Sequence, residues 1–174
     1  MMTNIDIKAN PKLYGPDMQE KLMAWMHEHR ASYINSGGAK GHIMDMRFIG
    51  GYRYVSICLI RYVGRKSGRT MINALGYTQY RGEIAIVASM GGADFHPQWY
   101  LNIKAGGPLD FQVATQAFRA TWREPQGDEL EDAWKYVISS NPLFKTYREI
   151  SKRQIPIILM APHEEIPVFS MTKE

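Results

Sequence analysis

The sequence predicts an α+β fold in which a small antiparallel β-barrel of about six strands is flanked by helices. Three observations lead to this prediction. Segments rich in β-branched and aromatic residues are separated by short turns, a pattern that favours antiparallel hairpins. Apolar residues recur at helical spacing near the N-terminus, in the middle and near the C-terminus of the chain. The sequence also lacks the regular alternation of strands and long helices that a doubly wound parallel sheet requires.

An amphipathic helix is predicted within residues 1–40. It follows the start signal Gly15-Pro16-Asp17, and Gly37-Gly38 supplies a stop. The residues that recur at helical spacing are Met18, Leu22, Trp25, Met26, His29 and Tyr33. We expect this helix to cover the core. Peripheral contact of the N-terminal helix with a membrane is the alternative, although Glu20 and Glu28 reduce the positive charge that such a contact uses.

Residues 44–162 are predicted to form the barrel and the remaining helices. The predicted strands span 52–63, 71–80, 84–89, 109–115, 117–123 and 155–160. The predicted helices span 98–105, the segment from 128 to a break at Asn141-Pro142, and 143–151. Residues 163–174 are expected to be a loose tail, so the prediction is a single domain over residues 1–174.

The composition bounds the class of protein. A chain of 174 residues with 45% hydrophobic and 22% charged residues can bury a core without disulfides or metal. Its only cysteine, Cys58, lies in an apolar run and is expected to be a buried, reduced thiol. The segment Met1–Lys8 lacks the apolar core of a signal peptide, and no segment approaches the roughly 20 apolar residues of a membrane helix. We therefore expect a cytoplasmic location.

The positive charge is concentrated in one short segment. The net charge is +4, and residues 61–69 carry four cations and no acidic residue, so the rest of the chain sums to zero. Nucleic-acid-binding proteins usually spread their cations along a helix or a whole face. The charge pattern therefore predicts a local anion site and no nucleic-acid partner.

The motif Gly64-Arg65-Lys66-Ser67-Gly68 lies between two predicted strands. Its glycines allow a tight turn, and its backbone amides and cations could converge on a phosphate. A Walker loop is excluded because the chain returns to a strand at Met71 rather than entering a helix. The alternative is a basic hairpin tip that is simply solvated.

A second motif, Ala88-Ser89-Met90-Gly91-Gly92, ends a strand and leads after a few residues into a helix that begins at Pro97. Glycines permit close approach of the backbone to a flat ring, and a helix N-terminus offers amide donors. The alternative is an ordinary connection between a strand and a helix in which Trp99 only packs.

The residues of protein-borne catalysis are not found in a recognisable arrangement. The sequence has no Ser-His-Asp order, no His-Glu-x-x-His and no paired cysteines, and His42, His96 and His163 are interpreted as ordinary loop histidines. His27 and His29 lack partners at metal-ligand spacing, so no metal site is predicted. If the protein is an enzyme, a bound cofactor must supply the reactivity.

The motifs at 64–68, 88–92, 97–105 and 153–158 occur in an order that resembles the deazaflavin-dependent nitroreductase family of mycobacteria and related actinobacteria. The resemblance covers residues 55–162. It implies a split β-barrel, like that of FMN-binding proteins, that binds coenzyme F420, an 8-hydroxy-5-deazaflavin with a phosphate and a glutamate tail. It further implies an oxidoreductase that transfers hydride to a quinone, an enone or a nitroaromatic compound.

The resemblance also implies roles for individual residues. The phosphate and acidic tail would be held by Arg65, Lys66 and Ser67, with Arg69 reaching part of the same site. The deazaflavin and its ribityl chain would lie along Ala88, Ser89, Met90, Gly91 and Gly92, with Trp99 near the ring and Asn102 supporting the turn. Ser89 and Tyr147 would be hydrogen-bond donors to the acceptor.

This sequence departs from the family pattern at several positions. Met71 stands where relatives commonly carry an arginine, and Met90 where some carry a lysine. Asn141 and Phe144 replace tyrosines that line the pocket of nitroimidazole-activating relatives, so we expect inefficient activation of those drugs. The methionines keep a second hypothesis open, a non-catalytic barrel that binds a lipid-like ligand or a cofactor. Related split barrels bind FMN, which is a third hypothesis, and often pair, which allows a homodimer.

Overall fold

The elements predicted from the hydropathy pattern are present in the computed structural model, which describes residues 15–171. In chain order they are α1 (Pro16–Asn35), β1 (Ile43–Met44), β2 (Val55–Val63), β3 (Thr70–Tyr80), β4 (Glu83–Val87), α2 (Gln98–Lys104), β5 (Leu109–Val113), β6 (Gln116–Arg123), α3 (Gly127–Ser140), α4 (Leu143–Ile150) and β7 (Ile157–Ile166). Two short 3-10 turns, Arg47–Ile49 and Met90–Gly92, interrupt the longer connections.

Six antiparallel strands close into a barrel. Their order is β2-β3-β4-β7-β6-β5, and β5 pairs with β2 again, with Ile60 opposite Phe111. The predicted antiparallel barrel of about six strands flanked by helices is therefore confirmed. Strand β1 is an addition of two residues at the edge of β2, with Met44 opposite Val55. It was not predicted, because two residues are too few to show a periodicity.

Strand β3 divides its pairing between two neighbours. Its first part, from Thr70 to Gly76, pairs with β2, whereas Tyr77 to Tyr80 pair with β4. Beyond Ile86, which is opposite Tyr77, strands β3 and β4 separate. The barrel wall is therefore open beside the first half of β3, as expected for a split barrel.

Both faces of the barrel wall are covered. Alternate residues of β2, such as Cys58 and Ile60, point into the interior cluster, whereas Ile57 and Leu59 pack beneath α1. Helices α3 and α4 cover the outer face of β4 and β7 in the same way. This double coverage explains the continuous apolar run in β2. Burial raises the pKa of the Cys58 thiol to about 12, so the thiol stays neutral, buried and unreactive.

Helix α1 covers the core as predicted. Leu22, Tyr33 and Ile34 are buried, and the Tyr33 hydroxyl accepts the N–H of Ala114 at 2.8 Å. Within residues 15–171, no helix combines the length and the hydropathy needed to cross a bilayer. The segment Met1–Lys8 lies outside the described residues, and the single domain over residues 1–174 stays a prediction.

The C-terminal segment corrects the sequence-based expectation of a loose tail at 163–174. Strand β7 continues to Ile166, which lies opposite Ala117 of β6. Beyond the strand, Phe169 is only 1% exposed, and its backbone N–H donates to Gln112 Oε1 at 2.7 Å. The hydropathy pattern is weak here because Glu164 and Glu165 are exposed on the strand, so backbone pairing rather than apolar burial holds it. Residues 172–174 lie outside the described part of the chain.

Candidate functional site

The basic loop, defined as residues 64–69, is a tight turn between β2 and β3. The Gly64 N–H donates to Arg69 O at 2.9 Å, and the Gly68 N–H donates to Gly64 O at 2.8 Å. Gly68 has a φ of +67°, which favours glycine. A Cβ at Gly64 would lie 2.7 Å from Ser67 Oγ. The predicted tight turn is therefore present, and the hydroxyl of Ser67 helps to shape it by accepting the Arg69 N–H at 3.3 Å.

Arg65 connects the basic loop to helix α2. Its backbone N–H and its Nη1 donate to Asn102 Oδ1 at 3.2 and 2.7 Å, and its Nη2 donates to Gln98 Oε1 at 3.1 Å. Asn102 is buried, so its amide oxygen is a fixed acceptor. The structure thus brings together two motifs that lie far apart in sequence. The support of the turn by Asn102, which the resemblance implied, is confirmed.

Three cations of this loop carry uncompensated charge. Arg65, Lys66 and Arg69 are exposed, and no carboxylate among residues 15–171 forms an ion pair with them. Arg61, the fourth cation counted in the sequence, instead donates to Asp110 Oδ2 at 2.7 Å. The positive field is therefore narrower than residues 61–69 and belongs to the turn itself.

The glycine-rich loop, residues 88–92, leaves the sheet at the end of β4. Three consecutive residues have positive φ, +49° at Met90, +63° at Gly91 and +78° at Gly92. Met90 is a non-glycine residue in this region, a conformation that costs energy and occurs most often at functional sites. The loop therefore has a defined, strained backbone and is not a relaxed connection.

Helix α4 packs directly against this loop at Gly92. A Cβ at Gly92 would lie 2.7 Å from Ile150 Cγ1 and 3.0 Å from Tyr147 O. Any side chain at Gly92 would push α4 away. The structure therefore assigns this glycine a packing role against α4, in addition to the approach to a flat ligand predicted for it.

Arg153, in the segment between α4 and β7, holds the same loop from the other side. Its Nη2 donates to Ala88 O at 2.8 Å and to Ser89 O at 3.1 Å, and its Nε donates to Ala93 O at 3.0 Å. Sequence reasoning included Arg153 in a family motif but gave it no role. An arginine two residues before a fully apolar segment was the available signal, and its contacts with residues 60 to 65 positions earlier in the chain were not predictable.

The predicted donors to the acceptor both lie near the glycine-rich loop. Ser89 is within it and 9% exposed, and its hydroxyl makes no hydrogen bond to any residue of the described chain. Tyr147 is 8% exposed and belongs to the cluster under α3 and α4, with its ring 6.1 Å from that of Phe144. The structure brings these residues to one region, and their roles as donors stay predictions.

Trp99 lies within the barrel rather than on its surface. It is 6% exposed, belongs to the interior cluster and meets the Tyr100 ring at 84°. Packing of Trp99 in the core, the alternative from the sequence, is therefore present, while its proximity to a bound ring stays a prediction. Met71 is half-buried against the same cluster below the basic loop.

Four of the five histidines of the described residues have protein partners; in the first of these contacts, His27 Nδ1 lies 3.1 Å from Arg30 Nη2. His96 Nδ1 lies 3.1 Å from Arg153 Nη1, His42 Nε2 lies 2.8 Å from the Tyr77 hydroxyl, and His29 Nε2 lies 2.7 Å from Gly41 O. Across residues 15–171, no three His, Cys, Asp or Glu side chains cluster in a way that could hold a metal ion.

Comparison with known proteins gives similarities of three kinds: to a family profile, to a named protein and to solved structures. The family profile described as F420H(2)-dependent quinone reductase matches residues 25–162. A Mycobacterium tuberculosis (strain H37Rv) protein named F420H(2)-dependent quinone reductase is 27% identical over 135 residues, which cover 76% of this chain and 86% of that protein.

Two solved structures are also similar. One, described as an F420-H2 dependent reductase (FDR-A), shares 33% identity at a TM-score of 0.55 and covers 60% of this chain and 92% of its own. The other, described as a domain-swapped dimer, shares 29% identity at a TM-score of 0.58, with 80% of this chain and 98% of that chain covered.

Proposed function

Because the chain belongs to the family of F420H(2)-dependent quinone reductases, we propose that it transfers hydride from reduced coenzyme F420 to an activated apolar acceptor. The protein is an F420-dependent reductase, and the acceptor class comprises quinones, enones and nitroaromatic compounds. The reduced deazaflavin supplies a hydride from its C5 atom and reacts poorly with oxygen. The protein's contribution is to bind and orient the two reactants.

The contact of Arg65 with Asn102 and Gln98 carries the proposal. It joins the basic loop to α2, the helix that follows the glycine-rich loop along the chain. An anion-binding turn and a loop suited to a flat ring therefore lie in one region, beside the open edge of β3. A coenzyme with a flat head and an acidic tail requires this combination.

The residues present fit coenzyme F420. Its phosphate and glutamate tail need cations without internal counterions, and Arg65, Lys66 and Arg69 meet this need among the described residues. Its head needs a backbone that a ring can approach, and the glycine-rich loop, with Gly91 at its centre, offers one. Met71 and Met90 replace cations found in relatives, so the basic loop must supply most of the charge that binds the tail.

The remaining site residues act by orientation and by exclusion of water. Helix α4 closes over Gly92, which shields this side of the loop from solvent. An acceptor that receives hydride develops negative charge on an oxygen, and a hydroxyl from Ser89 or Tyr147 would donate a hydrogen bond to it. Preorganised donors of this kind lower the barrier because they need not reorganise during the reaction.

Titration of the purified protein with coenzyme F420 tests the binding step. We expect Arg65→Ala and Lys66→Ala each to weaken binding by about tenfold or more, since a charge-assisted contact to phosphate is worth roughly 1.5–3 kcal/mol. Arg53→Ala is the matched control, because Arg53 is an exposed cation on the segment before β2. Changes within about twofold for both loop variants would contradict the assignment of this loop to the coenzyme's charged end.

Oxidation of reduced F420 in the presence of a quinone, an enone and a nitroaromatic compound tests the reaction. We expect oxidation that depends on the acceptor, with nitroimidazoles as poor acceptors because Asn141 and Phe144 replace tyrosines. Coenzyme binding without oxidation by any acceptor would favour the non-catalytic hypothesis, and a protein that is yellow as purified would favour FMN.

The homodimer, the membrane contact through α1 and the cytoplasmic location stay predictions. Similarity to a domain-swapped dimer supports the homodimer.

A further inference from the structure

We propose that Arg153 is a positioning residue that turns backbone N–H groups of the glycine-rich loop toward the head of the bound coenzyme. The proposal rests on the proposed function of the site. In this proposal Arg153 fixes the orientation of two peptide groups, the one between Ala88 and Ser89 and the one between Ser89 and Met90. The amides thereby presented, from Ser89 and Met90, would donate to the electron-rich carbonyl edge of the deazaflavin.

The guanidinium of Arg153 is fully used by the protein. Its five N–H donors match five acceptors, four backbone carbonyl oxygens and one imidazole nitrogen. These acceptors are Ala88 O, Ser89 O, Ala93 O, Gln154 O and His96 Nδ1. An arginine that satisfies carbonyl groups in this way acts as a fork of fixed geometry, and it has no donor left for a ligand.

Because the peptide bond is planar, each contact to a carbonyl oxygen also fixes the direction of the N–H group in the same peptide. In a trans peptide the C=O of one residue and the N–H of the next point in opposite directions. Because Arg153 binds Ala88 O and Ser89 O, the N–H groups of Ser89 and Met90 point away from Arg153. Neither N–H donates to a backbone acceptor within the described residues, so both are available to a ligand.

The two faces of α2 separate Arg153 from the basic loop. Gln98 and Asn102, which bind Arg65, lie on one face. His96 and Tyr100 lie on the Arg153 side, with the two rings 4.9 Å apart. Residues two apart in an α-helix are displaced by about 200°, so Asn102 and Tyr100 face opposite directions. Arg153 and the basic loop therefore lie on opposite sides of α2. The N–H groups of Ser89 and Met90, which point away from Arg153, face the side of the basic loop.

Two ligands distinguish this role from charge attraction. Coenzyme F420 is compared with the same deazaflavin and ribityl chain lacking the phosphate and glutamates. We expect Arg153→Ala to weaken both ligands by a similar factor, about tenfold or more, because it disturbs contacts to the head. Arg65→Ala should weaken only the complete coenzyme. Arg153→Lys should give an intermediate loss, because one ammonium cannot hold carbonyls in three directions.

Lys152→Ala is the matched control for loss of a cation in the same segment. Lys152 is exposed, and its backbone N–H donates to Asp94 Oδ1 at 2.9 Å, a contact that the substitution keeps. We expect its affinity for both ligands to stay within about twofold of wild type. An Arg153→Ala protein that binds both ligands like wild type, or loses affinity only for the complete coenzyme, would overturn the proposal.

Hydrogen exchange provides a readout that does not depend on activity. In the wild type, saturating coenzyme should slow exchange of the Ser89 and Met90 amides, and in Arg153→Ala this protection should be lost even at saturation. If Arg153→Ala does not fold, Arg153→Lys carries the same measurement. Equal protection in wild type and variant would overturn the proposal. A wild type that binds neither ligand would instead remove the proposed function, and this assignment with it.

Discussion

At the residue scale, one amide oxygen couples the two parts of the site. Asn102 Oδ1 accepts both the backbone N–H and the Nη1 of Arg65. Burial raises the pKa of the neighbouring Tyr62 to about 12, so its hydroxyl stays neutral, and this hydroxyl donates to Asn73 Oδ1 at 2.6 Å. This chain of neutral groups orients a cation without neutralising it, so the charge of Arg65 remains available to an anion.

Asn102→Ala should therefore release the basic loop. We expect coenzyme affinity to fall by about tenfold, because Arg65 loses the acceptor that orients it. Asn102→Asp is the informative companion, since a carboxylate keeps the acceptor but neutralises Arg65. Asn102→Asp should therefore leave the melting temperature unchanged and still weaken coenzyme binding. Titration and thermal unfolding measure both effects, and wild-type affinity in Asn102→Ala would contradict the coupling.

His96 is the other residue whose state matters, because its Nδ1 accepts a hydrogen bond from Arg153 and must be unprotonated. Its pKa is lowered from 6.5, first by burial and then by the charge of Arg153. Lys104 also lowers this pKa, whereas Glu124 raises it. Below about pH 6.5 the unfolded chain binds the proton more readily than the folded protein. The free energy of unfolding should therefore decrease as the pH falls from about 6.5 toward the folded-state pKa.

His96→Asn separates this contribution from those of other histidines. The side-chain oxygen of asparagine can accept from Arg153 but does not titrate. Urea unfolding between about pH 8 and pH 5 should show a smaller loss of stability in the variant than in the wild type. A residual slope is expected, because burial also lowers the pKa values of His29 and His42. Identical slopes in both proteins would contradict the role assigned to His96.

At the element scale, helix α2 and strand β3 organise the site through their two sides. Helix α2, which spans only Gln98–Lys104, binds the basic loop with one face, and on the other face its Tyr100 ring packs against His96, the hydrogen-bond partner of Arg153. Strand β3 is longer than its partners require, so half of it lacks a neighbour on the β4 side. The opening in the barrel follows from this mismatch in strand pairing and from the departure of the chain at Ala88.

The C-terminal segment after β7 is a structural element, although hydropathy alone suggests a tail. Phe169 packs in the cluster beneath α1, and the Arg61 guanidinium lies 4.4 Å from the centre of its ring. Phe169→Ala should lower the free energy of unfolding by roughly 3 kcal/mol, the usual cost of removing a buried aromatic ring. Urea denaturation measures this loss in the free energy of unfolding.

Val168→Ala is the control for this prediction. Val168 is the neighbouring residue and is 38% exposed, so its truncation should cost well under about 1 kcal/mol. Equal effects of the two substitutions would mean that Phe169 does not contribute to the core as the structure indicates.

At the scale of the whole molecule, ion pairs neutralise several cations on the barrel strands. Arg61 and Arg119 both contact the buried carboxylate of Asp110, and Arg123 binds Glu83 of β4 and Glu129 of α3. The basic loop differs because three cations without such partners lie within five residues of one another, whereas Arg53 and Lys152, which also lack a carboxylate partner among the described residues, lie elsewhere in the chain. A modest net charge of +4 can therefore produce a local field strong enough to bind an acidic tail.

The sequence by itself determined the local structure. The β-branched segments, the turn glycines and the helix signals specified strands, turns and helices, because these depend on neighbouring residues and on periodicity. It also identified the two loops that we propose bind the coenzyme. The expectation of a loose tail at 163–174 was wrong because the end of β7 is held by backbone pairing with β6, which leaves no hydropathy signal.

Only the tertiary structure decided how these pieces act together. Residues far apart in sequence are joined by the contact of Arg65 with Asn102, the ion pair of Arg61 with Asp110, the packing of α4 on Gly92 and four of the five side-chain bonds of Arg153. Closure of the barrel sets these distances, and a side chain's partner depends on them rather than on its neighbours in the chain. The residue types of the two loops could therefore be read from the sequence, whereas the orientation of the loops depends on the fold.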